Sequence, residues 1–223
     1  MAGSSGHFPS CFRSLRDIKR TGGLGWQFDN LAISKNFWQN RYSDHFQRFN
    51  INGNNNFLAV FKESLSKTKN LFLLLGGLKA EDMAVFTEAI KHYGLTADAA
   101  LLPHLPFNKV KEYYAISDIF VLPYAGEVLR QYSLSPIKLF EYAACNRPII
   151  CPATENLAEI FNAEEVVFYK PDNYNELGEK ILLLAKNQDL RLRFAERALA
   201  KAGNYSWQAR AAKITAFIQS QLR

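Results

Sequence analysis

The chain has 223 residues, of which 48% are hydrophobic and 13% aromatic, enough for the core of one large domain or two small ones. Its net charge is +6, but no basic run is interleaved with aromatic residues, which disfavours nucleic acid as a partner. No apolar run approaches the roughly 20 residues that span a bilayer, and the first residues lack the apolar block of a secretion signal.

The cysteine pattern indicates a reducing compartment. Cys11, Cys145 and Cys151 have no metal-ligand spacing, and their odd number argues against a disulfide framework. No two His, Cys or acidic residues form a compact ligand pattern, so we expect neither a metal nor a bound cofactor. The sequence therefore predicts a cytoplasmic protein that makes at most a peripheral contact with the cytoplasmic face of a membrane.

Residues 1–56 differ in composition from the rest of the chain. They hold seven Lys and Arg against three Asp and Glu, whereas the remainder is nearly balanced at twenty to eighteen. Five of the residues 50–56 are Asn, and the aromatic residues before them lack a clear periodicity. The glycines at 22–25 lack the Lys and Ser or Thr of a P-loop. We therefore expect an irregular or partly disordered region at 1–56 and a folded domain at 57–223.

From Phe57 onward, segments typical of helices and strands alternate. Continuous apolar runs predict buried parallel strands at residues 71–75, 99–102, 118–123, 148–151 and 166–169. Helical patterns and caps predict helices at residues 57–67, 80–92, 108–116, from 136 onward, 156–162, 173–187, 189–202 and 206–222. This alternation is typical of an α/β fold, and it predicts a Rossmann-like, doubly wound parallel sheet followed by carboxyl-terminal helices.

The segment 135–150 is the most informative part of the chain. Ser135 is a favourable N-cap, and Pro136 suits the first helical position because its missing N–H would be unpaired there anyway. Three apolar side chains then share one helical face beside Glu141, namely Leu139, Tyr142 and Ala143. In α/β folds, a helix start behind a loop at the carboxyl end of a strand binds phosphate groups. The segment therefore suggests a nucleotide-sugar site.

Four segments share their character and order with one enzyme family. The first, residues 71–77, is an apolar strand that ends in Gly, and the second, residues 110–123, contains Tyr-Tyr, then Asp and a final Pro. The third is the segment 135–150 described above, and the fourth is Tyr-Ser-Trp at 205–207. In these segments, residues 57–223 resemble the carboxyl-terminal half of a GT-B glycosyltransferase of the retaining family 4, also called glycosyl transferases group 1. The resemblance implies one half of a GT-B fold that binds a nucleotide-diphosphate sugar.

The resemblance also implies what this half would need for activity. In the family, an amino-terminal half binds the acceptor, and the sugar is transferred with retention at the anomeric carbon, usually without a metal. Residues 1–56 are too few to form that half. We therefore expect a UDP- or GDP-sugar donor and a saccharide or lipid-linked acceptor. Transfer would require a separate amino-terminal chain, and self-association is another expected mode of interaction.

Site residues follow from the positions that match the family motif. Glu141 matches the glutamate that accepts hydrogen bonds from the ribose hydroxyls, which suits a carboxylate because it can accept two donors from one sugar. The family residues near the pyrophosphate are matched by Ser133, Leu134 and Ser135. The resemblance implies that their backbone N–H groups and the serine hydroxyls lie near the pyrophosphate. Lys138 either reaches a phosphate or is solvated.

Other candidate residues depart from the family pattern. Ser133 stands where a second glutamate is common, eight positions before Glu141 with seven residues between them. Glu127 either contacts the donor sugar from a displaced position or is an ordinary surface residue. His104 and Leu105 follow the strand after which the family contacts the base.

The cation that neutralises the diphosphate is missing from its expected place. The family carries a Lys-Gly turn for this purpose, whereas here Arg48 is the only cation near Gly53. We therefore assign no catalytic residue and retain Arg48 as a candidate phosphate contact.

A non-enzymatic alternative stays open, in which the chain is a degenerate GT-B remnant that acts as a binding or interaction protein. The missing lysine and the irregular start favour it. A sugar-nucleotide epimerase of the same two-domain architecture fits the segment 135–141 less well, and a Rossmann dehydrogenase would need a G-x-G-x-x-G motif that is absent. The last helix carries an apolar face that would be an association surface if exposed, formed by Trp207, Ala211, Ile214, Phe217 and Ile218.

Overall fold

The computed structural model describes residues 19–21, 25–27, 31–36, 51–68, 70–123 and 137–221. The first two strands, β1 (Lys19–Thr21) and β2 (Gly25–Gln27), form an antiparallel pair. The remaining described strands form one six-stranded sheet. They are β3 (Leu31–Asn36), β4 (Leu71–Leu78), β5 (Ala99–Pro103), β6 (Ile119–Val121), β7 (Ile149–Pro152) and β8 (Val167–Tyr169).

The order of the strands in this sheet is β5-β4-β3-β6-β7-β8, and every neighbouring pair is parallel. The chain starts in the middle of the sheet, builds outward to β5, then returns to β6 and builds outward on the other side. This is the 3-2-1-4-5-6 order of doubly wound nucleotide-binding folds. The direction reverses between β3 and β6, and such a switch point is where these folds open a crevice at the carboxyl ends of the strands.

The helices that connect and follow the strands confirm the expected α/β fold. They are α1 (Ile51–Lys67), α2 (Ala80–His92), α3 (Phe107–Ala115), α4 (Ile137–Ala143), α5 (Glu155–Ala158), α6 (Tyr174–Lys186), α7 (Gln188–Ala202) and α8 (Trp207–Gln221). Each helix and strand predicted for residues 57–223 is present, with its bounds displaced by four residues at most, except that α1 begins at Ile51 rather than Phe57. None of the described helices has both the length and the hydropathy needed to cross a bilayer.

The expectation of an irregular chain over residues 1–56 is wrong for the paired strands β1 and β2 and for two further segments. Residues Leu31–Asn36 form β3, which pairs with β4 on one side, from Leu31 opposite Leu71 onward, and with β6 on the other. Helix α1 begins at Ile51, so the expected boundary at residue 57 lies inside a helix. Neither segment has a strong local pattern, because the hydrogen bonds of a central strand and the packing of α1 come from residues distant in sequence.

Two apolar clusters cover the two faces of the sheet. In β6, Ile119 and Val121 belong to the cluster beneath α1, α2 and α6, whereas Phe120 belongs to the cluster beneath α3, α4 and α7. This division follows from the alternation of side chains along a strand. Helices α3 and α4 therefore lie on the same face of the sheet and flank β6 in sequence.

Helix α8 is exposed in the described part of the chain, where none of its residues is buried. The exposed fraction is 80% for Trp207 and 66% for Phe217, and it is 51% for both Ile214 and Ile218. The apolar face expected from the sequence is therefore open to solvent.

Candidate functional site

The candidate site lies beside β6, one of the two strands at the switch point. Strand β6 ends at Val121, and α4 begins at Ile137. Helix α3 precedes β6 and lies on the same face of the sheet as α4. Long helical side chains point toward the amino terminus of their helix, which directs those of α3 and α4 toward the carboxyl edge of a parallel sheet.

Three polar side chains from α3 and α4 form one hydrogen-bonded group, which we call the Glu141 triad: Tyr114, Lys138 and Glu141. Oε2 of Glu141 accepts a hydrogen bond from the Tyr114 hydroxyl at 2.8 Å and another from Nζ of Lys138 at 2.5 Å. Nζ of Lys138 also donates to the Tyr114 hydroxyl oxygen at 3.1 Å. Both donors to the carboxylate thus meet one oxygen, and no described residue donates to Oε1.

Burial distinguishes the members of the triad. The side chain of Lys138 is 10% exposed and that of Glu141 is 24% exposed, so the carboxylate is the part that solvent or a ligand can reach. The two residues are three positions apart on α4, a spacing that brings side chains together on one helical face. A buried ammonium needs such a partner, because desolvation of an unpaired charge is costly. The solvated position considered for Lys138 is therefore wrong.

Aromatic packing holds Tyr114 in place. Its ring meets those of Phe120 and Tyr142 edge to face, with centroids 5.5 and 5.6 Å away. Tyr142 in turn stacks on Phe120, with centroids 4.0 Å apart and an interplanar angle of 4°. All three rings are buried. The sequence analysis missed Tyr114 as a site residue; its place at helical spacing from Val110 indicated a buried position, but not the partner of its hydroxyl.

The turn after α4 is joined to the end of α3. Nε of Arg147 donates to the carbonyl oxygen of Ser117 at 2.7 Å, and its Nη2 donates to that of Ala115 at 3.3 Å. Asn146, just before it, has a φ of 54°, a left-handed conformation that Asn tolerates better than most residues. Arg147 thus satisfies carbonyl groups at the carboxyl terminus of α3 and holds the two helices of the site together.

The thiols near the site are inert. Burial, with a contribution from the Glu141 carboxylate, raises the pKa of Cys145 to about 11. Its Sγ donates to the backbone oxygen of Glu141 at 3.1 Å. Burial also raises the pKa of Cys151, which is fully buried. Because the thiolate is the reactive form, neither thiol is a nucleophile near neutral pH. The described residues contain no group of three or more His, Cys, Asp or Glu that could hold a metal ion.

The two other predicted site residues in the described part of the chain, His104 and Leu105, lie apart from this triad. His104 follows β5, is exposed, and donates from its backbone N–H to Leu78 O at 2.9 Å; Leu105 beside it is half-buried. Strand β5 is three positions from β6 in the sheet, about 14 Å at roughly 4.8 Å per strand. Five predicted residues lie outside the described part of the chain: Arg48, Glu127, Ser133, Leu134 and Ser135.

The carboxyl ends of β3 and β4 add a feature that the sequence analysis did not identify. Asn36, the last residue of β3, pairs with Gly76 of β4, and Gly77 has a φ of 80° where the register of β4 shifts against β5. Glycine adopts this conformation without strain and places no side chain over the strand ends.

The sequence is similar to a known protein family and to a curated relative. The family model described as glycosyl transferases group 1 matches residues 47–201. A curated relative from Campylobacter jejuni, N,N'-diacetylbacillosaminyl-diphospho-undecaprenol alpha-1,3-N-acetylgalactosaminyltransferase, is 29% identical over 148 residues. That match covers 64% of this chain and 35% of the relative, so the chain spans about a third of the curated protein.

Solved structures show the same fold. HepE of Anabaena, in complex with UDP and glucose, is similar with a TM-score of 0.62 and 15% identity, over 96% of this chain and 53% of HepE. The carboxyl-terminal domain of the group 1 glycosyl transferase LpcC of Francisella tularensis is similar with a TM-score of 0.56 and 16% identity, over 78% of this chain and 85% of that domain. The chain therefore spans about half of HepE and most of the isolated LpcC domain.

Proposed function

Because the chain belongs to the glycosyl transferases group 1 family, we propose that it is the donor-binding half of a glycosyltransferase and binds a nucleotide-diphosphate sugar. The observation that carries this proposal is the carboxylate of Glu141. It is partly exposed, held through Oε2 by two donors, and free at Oε1 of any donor from the described residues. Such an oxygen is suited to accept a hydrogen bond from a ribose hydroxyl.

The position of Glu141 in the fold supports the same function. Helix α4 follows β6, and β6 is one of the two strands at the switch point of the sheet. Ligands of doubly wound sheets bind at the carboxyl ends of the strands around this point. The HepE structure with UDP and glucose supports UDP as the first nucleotide to test, with GDP as the second candidate.

The complete reaction that we propose is transfer of the sugar, with retention at the anomeric carbon, to a saccharide or lipid-linked acceptor. The name of the Campylobacter jejuni relative, which specifies a saccharide on diphospho-undecaprenol, supports this acceptor class. The chain spans about half of HepE, so transfer would require an acceptor-binding half from another chain or from a longer protein. The reaction would belong to polysaccharide or glycolipid biosynthesis.

Titration calorimetry with UDP, GDP and ADP tests the donor site. We expect millimolar or tighter binding of at least one of them and a loss of about 10- to 150-fold in Glu141→Ala, since a hydrogen bond to a charged group contributes about 1.5–3 kcal/mol. Glu179→Ala is the matched control, because Glu179 is an exposed glutamate on α6, on the other face of the sheet. No binding of any of the three nucleotides by the folded parent would refute the proposal.

A second candidate is a protein that acts through interaction rather than transfer, and the exposed apolar face of α8 favours it. The same titration distinguishes the two. A folded parent that binds no nucleotide leaves the interaction protein as the better reading, whereas binding that depends on Glu141 supports the donor domain.

A further inference from the structure

We propose that Tyr114 and Lys138 are positioning residues that orient the carboxylate of Glu141, so that the triad recognises the vicinal hydroxyls of a ribonucleotide. This inference rests on the proposed function and adds to it which residues set the preference for ribose over deoxyribose. Neither residue contacts the ligand in this proposal. Both act through Oε2 of Glu141.

Both hydrogen bonds that Glu141 accepts within the triad meet the same carboxylate oxygen, Oε2, and this arrangement supports orientation. Tyr114 and Lys138 both donate to Oε2, at 2.8 and 2.5 Å, and they also contact each other at 3.1 Å. A carboxylate held by two donors at one oxygen cannot rotate freely about its last bond. Oε1 then keeps one direction, and an acceptor in a constant direction can distinguish the hydroxyl positions of a sugar ring.

The surroundings of the two donors support the same role. The Tyr114 ring packs edge to face against both Phe120 and Tyr142, and the Lys138 side chain is 10% exposed. Lys138 therefore meets the carboxylate from a largely buried position, although it stands one turn after the residues expected near the pyrophosphate. The pair of Lys109 and Glu112, at 2.9 Å, lacks this burial, since its side chains are 57% and 64% exposed. The triad is thus built differently from a surface ion pair.

Two conservative variants test the role of each donor. Tyr114→Phe removes only the hydroxyl and keeps the packed ring, and Lys138→Met keeps the aliphatic stem. Tyr113→Phe is the matched control for the first, because Tyr113 is the neighbouring half-buried tyrosine on α3. Lys109→Met is the matched control for the second, because it breaks an exposed Lys–Glu pair of the same i,i+3 spacing. Thermal melts establish that each variant is folded before binding is measured.

The measurement is a ratio of affinities, which a general loss of stability would not change. For the nucleoside diphosphate that the parent binds best, calorimetry compares the ribonucleotide with its 2′-deoxy analogue, and the diphosphate with the monophosphate. We expect the parent to prefer the ribonucleotide by about tenfold or more. Each variant should lose most of this preference, and the preference for diphosphate over monophosphate should stay within about twofold of the parent value. Both control variants should keep both ratios.

The possible results distinguish failure of the proposed nucleotide binding from failure of the positioning role of Tyr114 and Lys138. A parent that binds no nucleotide refutes the proposed function and this inference with it. A parent that binds the ribonucleotide and its 2′-deoxy analogue equally refutes only the inference. If both folded variants keep the parent's ratio of affinities for the ribonucleotide and its 2′-deoxy analogue, Tyr114 and Lys138 do not position Glu141. A large drop in the diphosphate preference of Lys138→Met would make Lys138 a phosphate ligand instead. If Lys138→Met does not fold, the affinity ratios of Tyr114→Phe alone determine whether the inference holds.

Discussion

Arg147, in the turn after α4, donates from Nε to the backbone oxygen of Ser117 at 2.7 Å, 30 residues earlier in the sequence. This hydrogen bond joins the segments just after the carboxyl ends of α3 and α4, and the triad joins the two helices themselves. The relative position of Tyr114 and Glu141 therefore depends on a contact that lies outside the triad.

Loss of the Arg147 contacts should loosen the site. In Arg147→Ala, the free energy of unfolding should fall by about 1–3 kcal/mol, because the carbonyl oxygens of Ala115 and Ser117 lose a charged donor. Arg147→Lys should recover only part of this loss, since a single ammonium cannot reproduce the fork of a guanidinium. Urea unfolding followed by circular dichroism measures the change. Arg193→Ala, at an exposed position of α7, is the control, and an equal loss there would contradict the prediction.

The helix contact between α1 and α6 should not tolerate a methyl group at Gly178. A Cβ at this position would lie 2.8 Å from Cγ1 of Val60. Overpacking of this kind costs about 1–3 kcal/mol, and it should outweigh the gain of about 1 kcal/mol in helix propensity. We therefore expect a lower melting temperature for Gly178→Ala and a partial recovery when Val60→Ala is added.

Gly203→Ala is the control for the Gly178 prediction, because no atom lies within 4 Å of a Cβ built at Gly203. Its backbone is right-handed helical, with a φ of −54°, so alanine should be accommodated there without loss of stability. Equal melting temperatures of the two alanine variants would show that α1 and α6 separate easily.

Two phenylalanines should differ sharply in their contribution to stability. Phe120 is fully buried and stacked on Tyr142, so Phe120→Ala should reduce the free energy of unfolding by about 3–5 kcal/mol. Phe217 is 66% exposed on α8, and Phe217→Ala should change the free energy of unfolding by no more than about 0.5 kcal/mol. Denaturant titrations at two protein concentrations measure both. A large, concentration-dependent loss in Phe217→Ala would instead show that the α8 face is covered by self-association.

The reactivity of Cys145 should depend steeply on pH. With its pKa raised to about 11, its alkylation by iodoacetamide should rise about tenfold per pH unit from pH 8 to 10. The raised pKa means that the folded state holds the thiol proton more tightly than the unfolded state. The associated stability is thus fully present below the ordinary pKa of 9.0 and is lost as the pH rises toward 11.

Peptide-resolved mass spectrometry measures the alkylation of each cysteine separately. In urea, the Cys145 peptide should titrate near the ordinary thiol pKa, which provides the reference. Cys151, being fully buried, should react only after unfolding. A rate for Cys145 that reaches its plateau below pH 9 in the folded protein would contradict the prediction.

The sequence predicts the helices and strands from Phe57 onward because their signals are local. The apolar run at 71–75, the capped start at Ser135 and the helical spacing of α6 each depend on residues within one or two turns. Strand β3 has no comparable signal, since its stability comes from ladders with β4 and β6, both of which are distant in sequence. The central strand of the sheet was therefore the one that the pattern missed.

For Glu141, too, local sequence determined some features of the site and tertiary packing determined the others. Its position on α4, and the presence of Lys138 three residues before it on the same helix, follow from the local pattern and from the resemblance to the family. The tertiary structure alone decided that Lys138 is buried and that both it and Tyr114 bind the same oxygen of Glu141. Tyr114 is 27 residues away on another helix, and the contact forms because α3 and α4 pack on the same face of the sheet beside β6. Local patterns specify which face a residue occupies, but only packing decides which distant group it meets.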